Sequence, residues 1–381
     1  MNSPILTFLD QNDLDGFLYV GDSICDANMY YLSRFLAGDR FALLVQEKTT
    51  ILVSSMEKGR AQKESTADKC LSTSQYRIME LLRAGGKPNE AYAQVLTEFL
   101  RDHGIRHLGV PQSFPAGVYQ RLCQDFEIKI MESPAASWRM IKSQEEQEAI
   151  AASQRACERS MRRAVQLIAG SKPRGEILFR GDEPLTSEMV RGAIEISLLE
   201  EGCEAADTIV AGGRQAADPH MRGTGPLQAN APIVIDIFPR SKSNRYFADM
   251  TRTVLRGEAA PEIIELYEAV RLAQDAGLKA IRAEVDGSEV HSRVSQVFID
   301  QGYPEREDRG FTHSTGHGVG LDVHEKPSIS EIGEALKNNA VVTVEPGLYY
   351  PETGGVRLED LVVVKENGCK NLTHFERQLV L

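Results

Sequence analysis

The chain has 381 residues, of which 42% are hydrophobic and 26% are charged, and its formal net charge is −12 at pH 7. This length exceeds what one ordinary hydrophobic core accommodates and predicts two domains. The acidic balance provides no basic face of the kind that nucleic acids select, so no nucleic-acid partner is expected.

The cysteines and the N-terminal residues bear on location. Six cysteines are scattered without a CxxC pair, which favours free thiols over a disulfide framework. The first residues lack a basic region followed by an apolar run, so no signal peptide is expected. No stretch approaches the ~20 apolar residues that a membrane span needs, so no membrane partner is expected. Together these features predict a cytoplasmic protein.

The first 135 or so residues predict a small mixed α/β domain. Short apolar runs between turn residues indicate strands, and an apolar face at helical spacing, followed by Gly104, indicates a helix. The predicted strands are 16–20, 41–45, 50–53 and 108–110, and the predicted helix is 92–103. The second and third strands predict a hairpin, and the alternation of strand and helix predicts a parallel component in the sheet.

The rest of the chain predicts an α+β domain. Ser143 and Glu146 form a capping-box pattern at the start of a long helix that ends near Ala169. Further helices are predicted at 186–201, 264–283 and 290–301, and strands at 208–210, 233–235, 251–255, 341–344 and 361–364. We place the boundary near Trp138, which gives domains of residues 1–138 and 139–381.

Two of the predicted strands carry aspartates. Asp236 ends the apolar run 233–235, and Asp249 stands just before the strand at 251–255. If these two strands pair, their carboxylates meet at one point. Either aspartate alone would be interpreted as a solvated turn residue, because Asp is common in turns.

Three further motifs carry a histidine and two glutamates. His317 lies among alternate glycines, which permit close backbone approach to a ligand, in a segment that holds three of the eight histidines. Glu345 follows four strand-forming residues. Glu359 stands two positions after Arg357, so the two side chains share a face if the segment is a strand. Four carboxylates and one imidazole form a donor set for two divalent cations, which generate hydroxide for amide hydrolysis.

The pita-bread metallopeptidases have signature blocks that five segments of this chain resemble: IVID, FADMTRTV, HSTGHGVGLDVHE, VEPGLYY and GGVRLEDLVVV. This group includes methionine aminopeptidase, aminopeptidase P and prolidase. The resemblance covers about residues 139–375, and residues 1–138 more weakly resemble the creatinase-type N-terminal domain of the proline-specific members. It implies an α+β chain in which a pita-bread domain, an antiparallel sheet backed by helices, follows a smaller α/β creatinase-like domain.

The resemblance also implies a role for each motif residue. The implied ligands of two metal ions are Asp236, Asp249, His317, Glu345 and Glu359, of which Asp249 and Glu359 bridge both ions. The implied catalytic residues are Glu345 as general base, His324 as the hydrogen-bond donor to the developing oxyanion, His313 and His220 as substrate-positioning groups, and Arg357 as a support of the site that can meet a substrate carboxylate.

The implied activity is hydrolysis of Xaa-Pro peptide bonds by a hydroxide that bridges the two metals, as in an Xaa-Pro dipeptidase (prolidase) or an Xaa-Pro aminopeptidase. The oxygen-rich donor set favours Mn²⁺, and Co²⁺, Zn²⁺ and Fe²⁺ stay open. The implied substrates are small peptides with proline at the second position, and the implied assembly is a homodimer.

Three alternatives stay open. One is an aminopeptidase of the same fold without proline specificity, because a fold does not fix a substrate. The others are a metal-free creatinase-type hydrolase and a non-catalytic binding module. Both of these classes lose metal ligands, whereas all five ligand types are present here.

One segment departs from the family pattern. The connection between Asp236 and Asp249 is two residues longer than is usual, and Phe238 and Arg245 stand where glycines are usual. The turn in this connection is therefore expected to be built differently, with a changed contribution to the rim of the site. Ser314 replaces a further common glycine.

Overall fold

A computed structural model describes residues 4–304, 306 and 309–381. The chain divides into two compact units, Met1–Arg139 and Met140–Leu381. Within the described ranges, no helix combines the length and the apolar character needed to cross a membrane.

The first unit contains a mixed sheet. Its strands are β1 Gly16–Gly21, β2 Phe41–Val45, β3 Thr49–Val53, β4 Lys69–Ser72, β5 His107–Pro111 and β6 Glu127–Met131, in the spatial order β4-β3-β2-β1-β5-β6. The antiparallel β2–β3 pair confirms the predicted hairpin. The parallel pairs β1–β5, β3–β4 and β5–β6 confirm the parallel component.

Helices cover this sheet. They are α1 Pro4–Asn12, α2 Ala27–Ser33, α3 Lys58–Glu64, α4 Ile78–Arg83, α5 Pro88–Asp102, α6 Ala116–Leu122 and α7 Pro134–Arg139, with a 3₁₀ turn at Thr73–Tyr76. The predicted helix corresponds to α5, whose buried Val95, Phe99 and Leu100 belong to one core cluster with the sheet. This helix begins earlier than predicted because Pro88, with its preset φ, occupies the first turn.

The described part of the second unit contains four α-helices: α8 Gln144–Ala169, α9 Ser187–Glu200, α10 Pro261–Ala280 and α11 Gly287–Asp300. The predicted capping box is confirmed, because Ser143 and Glu146 each cap the other's backbone amide. Helices α10 and α11 begin earlier than predicted. Pro261 opens α10, and the Asp286 carboxylate caps α11 by accepting a hydrogen bond from the amide of Ser288.

The strands of the second unit pair antiparallel in every ladder described between them. They are β7 Lys172–Arg174, β8 Ile177–Arg180, β9 Glu183–Pro184, β10 Cys203–Glu204, β11 Ile209–Gly212, β12 Ile233–Ile237, β13 Arg240–Ser241, β14 Met250–Val254, β15 Gly316–Gly318, β16 Glu325–Ile329, β17 Val341–Val344, β18 Gly347–Tyr350, β19 Gly354–Arg357, β20 Asp360–Lys365 and β21 Gly368–Asn371.

Two of these sheets position the site, with the orders β11-β12-β14 and β16-β15-β17-β20-β21. Apolar side chains of β12 and β14 pack in one core with α8 and α9. Those of β17 and β20 pack in another core with residues of α10 and α11. The predicted α+β architecture of antiparallel sheet backed by helices is confirmed.

Candidate metal centre

Strand pairing brings the two aspartates together. Strands β12 and β14 pair so that Asp236 lies opposite Thr251, and Asp249 directly precedes the first residue of β14. The structure corrects one detail, because Asp236 lies inside β12 rather than after it. It also pairs with Ile209 of β11, so both neighbouring strands hold its backbone in place.

The two glutamates meet in the same way at the end of the other sheet. Val344 of β17 lies opposite Asp360 of β20, and therefore Glu345 and Glu359 flank the last residue pair of this ladder. The amide of Glu359 donates a 3.1 Å hydrogen bond to the carbonyl of Thr251, which joins the two sheets. The expectation that Glu359 shares a strand with Arg357 is wrong, because Glu359 lies in the connection between β19 and β20.

His317 comes from strand β15, although its glycine-rich surroundings are more typical of a loop. Its amide donates to the Thr343 hydroxyl at 3.0 Å, and the Glu345 amide donates to the Thr315 carbonyl at 2.8 Å. Neighbouring glycines are needed because a Cβ at Gly316 would lie 2.1 Å from the Thr343 carbonyl oxygen. The glycines thus let β15 pack closely enough to deliver the imidazole.

The ligating atoms converge. One donor atom from each of Asp249, His317 and Glu359 lies within 4.8 Å of the other two. His317 Nε2 also lies 3.1 Å from Glu345 Oε1 and 3.8 Å from Asp249 Oδ2. Carboxylate and imidazole donors at this spacing can share divalent cations.

The electrostatics of the carboxylates fit a cation site. Burial and the negative charges of neighbouring carboxylates raise the pKa of Asp249 and of Glu359 well above the ordinary range. Burial also raises the pKa of Asp236, and the charge of Arg357 opposes this shift. Among the described residues, Asp236 Oδ1 and Glu359 Oε1 are buried acceptors without a hydrogen-bond donor. Because such orphaned oxygens are costly, we conclude that the donor set fits bound metal ions.

Glu345 behaves differently from the other three carboxylates. Burial opposes its ionisation, but the hydrogen bond and positive charge of His317 outweigh burial and lower the Glu345 pKa to about 2. Its side chain is only 14% exposed and lines a cavity together with the other three carboxylates. Glu345 is therefore a carboxylate at neutral pH.

A buried arginine supports this constellation. Arg357 is 4% exposed and donates to Asp236 Oδ2 at 2.7 Å and to the Tyr349 hydroxyl at 3.0 Å. It also donates to the Thr251 hydroxyl at 3.1 Å, and this hydroxyl in turn donates to Glu359 Oε2 at 2.8 Å. Arg357 thus connects two ligands from different sheets: it contacts Asp236 directly and Glu359 through the hydroxyl of Thr251.

The three other predicted histidines line the cavity in front of the carboxylates. His313 Nδ1 faces the Ser314 carbonyl at 2.7 Å, so Nδ1 carries the proton and Nε2 accepts from the Tyr349 hydroxyl at 2.8 Å. Burial lowers the pKa of His313 to about 4, which leaves it neutral at physiological pH. His324 packs edge-on against His317, with ring centroids 4.3 Å apart, and His220 is exposed.

One cavity of about 330 Å³ gathers all the predicted site residues. Its lining includes Asp236, Asp249, His317, Glu345, Glu359, His220, His313, His324 and Arg357. Two supporting residues were missed by the sequence reasoning, Thr251 and Tyr349, whose hydroxyls connect the ligands and histidines to Arg357. Strand alternation could have indicated Thr251, which stands two positions after Asp249 and thus on the same face.

The long connection between the aspartates is held by a half-buried glutamate, Glu204. Glu204 accepts hydrogen bonds from both Arg240 and Arg245, the latter at 2.8 Å. Arg245 holds a left-handed backbone conformation with φ 67°, the conformation that favours glycine. The side chain of this arginine provides the second contact to Glu204. Phe238, which opens this connection, lines the cavity.

Comparison with known proteins extends this description. The profile of metallopeptidase family M24 matches residues 148–366, and that of the creatinase/prolidase N-terminal domain matches residues 4–141. An Xaa-Pro dipeptidase of Pyrococcus horikoshii is 30% identical over 99% of this chain and 97% of its own length.

Solved structures agree in both units. The crystal structure of the prolidase from Pyrococcus horikoshii OT3 superposes with a TM-score of 0.81 at 28% identity, over 99% of this chain and 98% of that one. The X-Pro aminopeptidase from Thermotoga maritima MSB8 has a TM-score of 0.80 at 28% identity, over 97% of this chain and 98% of that one. The chain therefore belongs to metallopeptidase family M24, a family that implies divalent metal ions, and has a creatinase/prolidase-type N-terminal domain.

Proposed function

We propose that this protein is a peptidase that hydrolyses Xaa-Pro bonds with two divalent cations held by the five predicted ligands. The observation that carries this proposal is the single cavity lined by all nine predicted ligands and catalytic residues. The names of similar proteins support the substrate class, because they include Xaa-Pro dipeptidases and an X-Pro aminopeptidase. The orphaned buried oxygens support metal binding and disfavour a metal-free hydrolase.

The side chains divide the chemistry among them. Bound divalent cations lower the pKa of water and polarise a carbonyl group. Glu345 accepts the proton of the attacking water and passes it to the leaving proline nitrogen. His324 donates a hydrogen bond to the carbonyl oxygen as negative charge develops there. His313 and His220 position the peptide, and Arg357 holds Asp236 in place at the wall of the cavity.

Several finer features belong to the same proposal. We assign Mn²⁺ as the preferred metal because four of the five donors are carboxylates. We place the creatinase-like domain at residues 1–138 and the catalytic domain at 139–381. A homodimer follows from the resemblance. The six free cysteines support a reducing compartment, in keeping with the predicted cytoplasmic location.

The test compares four peptides with the Mn²⁺-loaded protein: Leu-Pro, Leu-Pro-Ala, Leu-Ala and Pro-Leu. Cleavage of the two Xaa-Pro peptides alone is expected, with the dipeptide preferred by a dipeptidase and the tripeptide by an aminopeptidase. Glu345→Gln is expected to abolish turnover while the protein still folds. Equal cleavage of Leu-Ala would overturn the proline specificity and favour the general aminopeptidase alternative.

A further inference from the structure

The cavity has an apolar side that the proposed chemistry does not use. Ile209, Phe238 and Val323 line it together with the metal-site carboxylates. Ile209 lies opposite Asp236 across the β11–β12 ladder, and Phe238 follows Asp236 by two positions along the chain. Ile209 and Asp236 therefore face the same side of the sheet, and Phe238 lines the same cavity as both.

The backbone that carries this ring is fixed. Pro239 follows directly, and its carbonyl accepts a 3.0 Å hydrogen bond from the amide of Ala248. The backbones of Arg240 and Phe247 pair as a bridge, and the amide of Phe247 donates to the Gly320 carbonyl at 2.8 Å. Glu204 then holds the rest of the turn through its ion pairs with Arg240 and Arg245. A half-buried ring on a braced turn can act as a rigid wall.

The charge distribution indicates which part of a peptide meets this wall. The free amine is the positive end of an Xaa-Pro peptide, and it is attracted to the group of carboxylates that line the cavity, of which Asp236 is one. The side chain of Xaa is attached one carbon away from that amine. Binding of the amine beside Asp236 therefore directs the Xaa side chain toward Phe238, Ile209 and Val323.

We propose that Phe238 sets the size limit for the Xaa side chain, so that the preferred substrates are Xaa-Pro peptides with compact apolar residues such as alanine, valine and leucine. Phe238 contacts the Xaa side chain as a specificity residue, with Ile209 and Val323 completing an apolar wall. This assignment rests on the proposed Xaa-Pro peptidase function. In an apolar pocket one methylene changes discrimination by about 10–200-fold, so removal of a whole ring is readily measurable.

The experiment measures kcat/KM of the Mn²⁺-loaded protein for Ala-Pro, Leu-Pro, Phe-Pro and Trp-Pro. In Phe238→Ala, the ratio of Trp-Pro to Ala-Pro is expected to rise at least about tenfold. In Phe238→Trp, the ratio of Leu-Pro to Ala-Pro is expected to fall by a similar factor. Phe179→Ala is the matched control, because Phe179 is a half-buried phenylalanine outside the cavity lining, and its ratios should equal those of the wild type.

Unchanged ratios in both Phe238 variants, with Ala-Pro hydrolysis retained, would overturn the assignment. If circular dichroism shows that Phe238→Ala has lost its fold, the opposite shift expected in Phe238→Trp decides the question alone. Failure of the wild-type protein to cleave any of the four peptides would instead overturn the proposed function, and the specificity assignment with it.

Discussion

Thr251 offers a quantitative test of how the metal centre is supported. Its hydroxyl is fully buried, donates to Glu359 Oε2 at 2.8 Å and accepts from Arg357 Nε at 3.1 Å. Thr251→Val keeps the shape of the side chain and removes only these hydrogen bonds. In the metal-free protein the raised pKa of Glu359 favours a neutral carboxyl group, so the bond to Glu359 should contribute the neutral value, about 1 kcal/mol, to the unfolding free energy. Loss of the bond from the charged Arg357 guanidinium should cost about 1.5–3 kcal/mol in addition.

Metal binding increases the contribution of the hydrogen bond from Thr251 to Glu359. Glu359 must be a carboxylate when it binds a cation, and a hydrogen bond to a charged group contributes about 1.5–3 kcal/mol. The variant should therefore lose about 0.5–2 kcal/mol more in the metal-bound state. Each 1.4 kcal/mol is tenfold in affinity, so Mn²⁺ should bind about 10-fold more weakly. A similar range, about 10–100-fold, is typical when a residue that orients a metal ligand is lost.

The assays are calorimetric unfolding of the metal-free protein and isothermal titration with Mn²⁺. Thr253→Val is the matched control, because Thr253 is equally buried on the same strand but bonds only the main chain of Arg357, at 2.9 Å. The control should lose about 1 kcal/mol of stability and keep its Mn²⁺ affinity. Equal Mn²⁺ affinity in Thr251→Val and the wild type, or equal weakening in both variants, would refute the reasoning.

Three further predictions concern stability. Lys142→Met removes the cation from a buried ion pair with Glu325, at 2.6 Å, and should lower the unfolding free energy by about 3 kcal/mol in denaturant unfolding. The double variant Lys142→Met/Glu325→Gln should recover most of this free energy, and no recovery would contradict the role of the pair. Arg245→Gly should be about 1 kcal/mol more stable than Arg245→Ala because of the left-handed backbone; equal stabilities would contradict this. Hydrogen bonds from its own amide and the Thr224 hydroxyl lower the Glu188 pKa to about 2. The resulting stabilisation is complete above about pH 4.5 and is lost as pH falls toward 2. Between these pH values the unfolding free energy of Glu188→Gln should therefore fall less steeply than that of the wild type. An unchanged pH dependence would contradict this prediction.

Much of the site could be predicted because each ligand stands in a short local motif. An apolar run followed by an acid, as at Asp236 and Glu345, indicates a carboxylate near the end of a strand, and this inference needs no knowledge of the partner strands. The capping box at Ser143 and the helix that it starts are local in the same sense. Such patterns need only neighbours in sequence, so the chain alone reveals them.

The remaining features depend on contacts between distant residues. The support from Arg357 requires strands β14 and β19 to lie side by side, which sequence spacing does not reveal. The strand conformation of His317 depends on its pairing with β16 and β17, which overrides the preference of its glycines for a loop. The left-handed Arg245 is explained only by Glu204, about forty residues earlier in the chain.

The central claim is that two divalent cations, held by the five ligands, are needed for Xaa-Pro hydrolysis. It is tested most directly by stripping the protein of metal and titrating Mn²⁺ while the rate of Leu-Pro hydrolysis is followed. We expect no turnover at the start and a plateau after two equivalents per chain, with no plateau at these concentrations in Asp249→Asn. Full hydrolysis by protein without detectable metal would contradict the account.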